Sequence, residues 1–83
     1  MTDDAALLQR ISQDPKVMAG QPVIRGTRLT VRFILNVLAH GAETGDLLEE
    51  YDGLAREDIH ACLLFASRSL GDVEFMPLVA GAT

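Results

Sequence analysis

"PVIRGTRLTVRFILNVL", residues 22–38, changes character halfway. Pro22 and Gly26 punctuate a run that carries Arg25, Arg28 and Arg32, and this run passes without a linker into Val31, Ile34, Leu35, Val37 and Leu38 at helical spacing. Thr30 stands just before the periodic residues, where a hydroxyl can cap open amides, and Gly41 follows them at a position suited to a helix end. The spacing predicts a helix over about 31–40. Upstream, Pro15 and Pro22 remove amide donors while Gly20 and Gly26 permit positive φ. Residues 12–29 therefore read as an ordered loop or short strand pair anchored by Val23, Ile24, Leu29 and Val31.

Working outward, "DDAALLQRI" offers Asp3 or Asp4 as a cap and Leu7, Leu8 and Ile11 as an apolar set, which predicts a short helix over 4–10. On the other side, Leu47, Leu48 and Tyr51 predict a short helix from Thr44 to Tyr51, ended by "YDGL". A further helix begins near Ala55 or Arg56. Glu57 and Asp58 suit its positive end, and Ile59, Cys62, Leu63, Ala66 and Leu70 are expected along one face, with Gly71 as the stop. The last residues, "DVEFMPLVAGAT", hold Val73, Phe75, Met76, Leu78 and Val79, too apolar for a solvated tail. They are expected to pack back on the domain or dock on a partner.

The chain of 83 residues is expected to be a single domain with its core at about 10–70 and a tail over 71–83. With 48% apolar and 23% charged residues it reads as soluble and globular; its apolar runs are too short to span a bilayer, and no signal-type segment opens it, so a cytoplasmic location is expected. One cysteine, Cys62, precludes an internal disulfide, and no spaced Cys or His set offers zinc ligands, so no metal or other cofactor is expected. The net charge of -5 is unevenly spread. Residues 1–32 carry five basic and three acidic groups, and residues 33–83 carry two basic and nine acidic groups. Since nucleic-acid affinity comes chiefly from clustered Lys and Arg, the acidic C-terminal half suits a basic protein partner better than nonspecific DNA.

A short helix, a tight turn and a longer helix also make a helix-turn-helix outline, which occurs equally in folds that never meet DNA. At this point the runs "DPKVMAGQPVIRGTRLTVRFILNVLAHG" and "LLEEYDGLAREDIHACLLFAS" resemble domain-of-unknown-function family 433, over about residues 10–68. The most specific part is the pattern G-x-P-V-I-R-G-T-R at Gly20 to Arg28, with Gly41, Leu54, Glu57, Asp58, Ile59 and Ala61 matching downstream. The resemblance implies a mainly α fold: a three-helix, homeodomain-like helix-turn-helix bundle preceded by a short strand segment. It further implies an antitoxin-like protein of the VapB type that pairs with a PIN-type ribonuclease toxin, with operator DNA bound by the complex. This chain departs from the family pattern at Glu43–Thr44, at Asp52 and at Ala55, where a hydroxyl cap is missing; Asp58 can compensate by reaching back to open amides.

Three readings of the arginines stand side by side. Arg25 and Arg28 could flank the Gly26–Thr27 turn to hold phosphate, although the Walker signature is absent. Alternatively Thr27 bonds its own backbone and Arg28 pairs with Glu49, Glu50 or Asp58. In the third, Arg25 and Arg32 stay exposed and form a small positive patch that can follow DNA once two copies dimerise; the residues expected at DNA are Arg25, Arg28 and Arg32 together with Arg56 and His60 on the last helix. Val73, Phe75, Met76, Leu78 and Val79 are the expected partner-binding residues. His40 suits a helix C-terminus, and Cys62 a buried small apolar site. With the carboxylate pairs Glu49–Glu50 and Glu57–Asp58 diverging around their helices, an enzyme is not expected. The function expected first is neutralisation of a toxin ribonuclease, and the alternative is a free-standing dimeric transcription regulator.

Overall fold

The computed structural model describes residues 3–71. Among them are four α-helices and a two-stranded sheet: α1 (Asp4–Leu8), β1 (Ile11–Ser12), β2 (Val23–Ile24), α2 (Val31–Ala39), α3 (Thr44–Glu50) and α4 (Arg56–Ser69). The fold is mainly helical. The strands are antiparallel, with Ile11 opposite Ile24 and Ser12 opposite Val23, and a bridge joins Val23 to Thr30. The expected strand pair thus forms, starting one residue before Ser12.

Local chemistry sets the boundaries. The Asp3 carboxylate accepts from the Ala5 amide (3.2 Å) and starts α1, which ends at Leu8, two residues short of the expected Arg10, because Ile11 must enter the sheet. The Thr30 hydroxyl accepts from the Phe33 amide (2.9 Å) at the start of α2. At its end His40 Nδ1 donates to the Asn36 carbonyl (2.8 Å), supplying a donor to the open C-terminal turn. Neither α3 nor α4 has a hydroxyl cap. Instead Asp46 accepts from the Glu43 amide (2.9 Å) and Asp58 from the Ala55 amide (2.8 Å), each the return half of a capping box.

The core gathers Leu7, Ile11, Ile24, Val31, Ile34, Leu47, Ile59, Ala61 and Cys62. Ile34 and Ile59 are almost completely enclosed, a burial worth about 1.5–3 kcal/mol for each side chain. Helix α4 is the hub, packing against α1, α2, α3 and β1. Its buried face differs from the expected one. Asp58, Ile59, Ala61 and Cys62 point inward, whereas Leu63 is 48% and Leu70 90% exposed. At about 100° per residue, packing by α1 and β1 centres the stripe near Asp58 and Cys62, which moves Leu63 and Leu70 to its flank. Phe33 on α2 meets Tyr51 edge-on at 6.2 Å between ring centroids, tying α2 to the end of α3.

Candidate interaction surfaces

The arginines of the opening stretch, Arg25, Arg28 and Arg32, are all exposed, yet Arg25 also has a structural role. Gly26, at φ +82°, turns the chain after β2. The Thr27 hydroxyl donates to the Ile24 carbonyl (2.7 Å) and accepts from the Leu29 amide (2.9 Å), as expected for a side chain that bonds its own backbone. Arg25 reaches across the hairpin, its Nε donating to the Gln9 carbonyl (2.7 Å) and its terminal nitrogen to that of Ile11 (3.3 Å). Arg25 therefore clamps β1 and the preceding turn to β2. Arg28 is exposed on the turn, and among the described residues no ion pair joins it to Glu49, Glu50 or Asp58.

Asp58 takes Arg10 instead, at 3.0 Å, with its side chain 10% exposed against 41% for Arg10. One carboxylate oxygen thus holds the turn after α1 while the other caps α4. Of the two acids at the start of α4, Asp58 is buried, which leaves Glu57 alone at the surface there, beside Arg56 and His60. Arg56 and His60 are exposed one helical turn apart on the same side of α4.

Around α3 the surface is acidic. Glu43, Asp46, Glu49, Glu50, Asp52 and Glu57 are all exposed on or around α3, and no Lys or Arg occurs between Phe33 and Ala55. Cys62 is enclosed, and burial, aided by the charge of Asp58, pushes its thiol up to about 12, so it stays protonated and unreactive in the folded chain. Among the described residues no cluster of three or more His, Cys, Asp or Glu side chains could hold a metal ion. No described helix is long and apolar enough to cross a membrane.

Two surface depressions escaped sequence reasoning. One, of about 510 Å³, places the exposed Met18 and Phe33 beside Arg32. The turn at Met18 and Ala19 adopts φ of 49° and 58°, a left-handed backbone uncommon in residues with a side chain. The second is an apolar groove of about 630 Å³ between the start of α2 and the end of α4, walled by Val31, Leu35, Phe65, Ala66 and Leu70, with Arg32 beside it. Its walls come from helices far apart in sequence, so only the periodic apolar residues of each could have hinted at it. The expected partner-binding residues Val73, Phe75, Met76, Leu78 and Val79 lie outside the described residues.

The sheet, α2, α3, all but the last turn of α4 and the turn at Gly26 fall inside residues 11–66, which match a family model described as a protein of unknown function, DUF433. The chain belongs to the DUF433 family. A crystal structure of a DUF433 member from Anabaena variabilis is similar to it with a TM-score of 0.71 and 33% sequence identity, over 80% of this chain and 66% of that one. The chain thus spans just under two thirds of that relative's length. A comparison with curated proteins finds no match. The DUF433 segment begins one residue after Arg10, so α1 and the cation that pairs with Asp58 lie outside it while Asp58 lies within.

Proposed function

We propose that this DUF433 chain is an antitoxin-like protein that binds and neutralises a PIN-type ribonuclease. The observation that carries this reading is the acidic face around α3, where five exposed carboxylates, Glu43, Asp46, Glu49, Glu50 and Asp52, follow one another without an intervening Lys or Arg. An RNA-cleaving site must attract phosphate with positive charge, and an acidic face complements such a surface while repelling RNA and DNA. The apolar residues Val73, Phe75, Met76, Leu78 and Val79 supply the hydrophobic anchor that charge alone lacks. The experiment is co-expression with the product of an adjacent gene of PIN type, followed by co-purification and an RNA-cleavage assay. A stable complex with suppressed cleavage is expected. Reversing exposed charges with Glu49→Lys and Glu50→Lys is expected to weaken it about tenfold or more without altering the helical signal. Failure of the native chain to bind or inhibit the ribonuclease, or indifference to charge reversal, refutes the proposal.

A second reading, a homeodomain-like dimer that reads an operator, is favoured by the α3–turn–α4 arrangement with Arg56 and His60 exposed near the start of α4. In helix-turn-helix proteins the N-terminal residues of the second helix meet base edges. Arg28 and Arg32 then serve as phosphate contacts, whereas Arg25 acts through the hairpin it holds. Tight sequence-specific binding by this chain alone, weakened by Arg56→Ala and steeply salt-dependent, supports this second reading over the first.

A further inference from the structure

The α2–α4 groove lies where the described chain ends. Leu70, 90% exposed, forms part of its wall, and only Gly71 separates Leu70 from the acidic and apolar segment "DVEFMPLV" at residues 72–79. We propose that residues 72–79 of the same chain bind this groove in cis, with Phe75 and Met76 as anchors against Leu35 and Phe65.

The lengths suffice. Phe65 lies five residues before Leu70, roughly 8 Å along the helix axis, whereas eight extended residues span about 26 Å. The chemistry also matches. Val73, Phe75, Met76, Leu78 and Val79 offer apolar groups to an apolar wall, and Asp72 and Glu74 among them complement Arg32, the one charged residue at the groove among the described residues. Attachment through Gly71 favours this occupant over a second copy, because a short tether gives the segment an effective concentration in roughly the millimolar range, far above that of a separate chain. The inference concerns the free chain and does not depend on the ribonuclease reading; a ribonuclease that takes the same apolar residues as its anchor must first draw them out of the groove.

The test uses the full chain, isotopically labelled, in solution NMR. Nuclear Overhauser contacts are expected between the Phe75 ring and the methyl groups of Leu35. A variant carrying Phe75→Ser and Met76→Ser changes only residues beyond the described body. It is expected to lose those contacts and to shift the amide signals of Leu35, Phe65 and Ala66 while leaving that of Leu47 in place. Arg32→Glu is expected to shift the same groove amides. These effects are expected to persist on dilution. Absence of the contacts with unmoved groove amides overturns the proposal. So do contacts seen only between labelled and unlabelled chains in a mixed sample, which assign the groove to a second copy.

Discussion

Replacing Asp58 by alanine removes two interactions at once. The Ala55 amide loses its acceptor at 2.8 Å, and Arg10 loses its partner at 3.0 Å. Loss of a helix N-terminal cap costs about 1 kcal/mol. Breaking a fully buried ion pair costs about 3–5 kcal/mol and a fully exposed one less than about 1. Asp58 is nearly enclosed but Arg10 is 41% exposed and can turn to water, which places the pair between these limits at about 1–2 kcal/mol. Asp58→Ala is therefore expected to cost about 2–3 kcal/mol, seen as a urea midpoint lower by about 2–3 M if the slope is near 1 kcal/mol/M. Asp58→Asn keeps an oxygen for the Ala55 amide and is expected to lose only about 1–2 kcal/mol. A double-mutant cycle between Arg10→Ala and Asp58→Asn, followed by circular dichroism in urea, isolates the pair. A coupling of about 1 kcal/mol or more is expected. If Asp58→Ala costs less than about 0.5 kcal/mol, the joint role assigned to this carboxylate is wrong.

Arg25→Ala removes two side-chain bonds to backbone carbonyls and is expected to cost about 1 kcal/mol. Hydrogen exchange of the β1–β2 amides should accelerate more than that of α2, and uniform acceleration counts against the clamp. Two turn substitutions are expected to have opposite signs: Gly26→Ala, at φ +82°, costs about 1 kcal/mol, and Ala19→Gly, at φ +58°, gains about that much in thermal or urea melts. The Cys62 thiol ordinarily ionises near 9.0 and is held up to about 12 in the folded chain. Between these values the unfolded chain has released the proton and the folded chain retains it, so stability is expected to fall by about 1.4 kcal/mol per pH unit. Cys62→Ala should flatten that slope, and an unchanged slope refutes the assignment.

How much was legible in the sequence depended on whether the determinant was local. Thr30, three residues before the amide it caps, marks the start of α2 without tertiary help, and Asp58 shows its capping role by standing three residues after Ala55. Thr27 and Gly26 disclosed their turn for the same reason. The other half of Asp58 was hidden because Arg10 lies 48 residues away and no periodicity links them. Arg28, nearer the family pattern, was the natural candidate but stands exposed on its turn. The face of α4 was misjudged because spacing defines a stripe without defining its centre; the short α1 and β1 fix that centre from outside. The groove shared by α2 and α4 likewise exists only after two remote apolar stripes meet.

The enclosed thiol also furnishes a clock. A reagent that modifies cysteines can reach Cys62 only when α4 parts from its neighbours, so adduct formation measures how often the interior opens. Because the chain has no other cysteine, a single mass increment identifies each opened molecule without any engineered label.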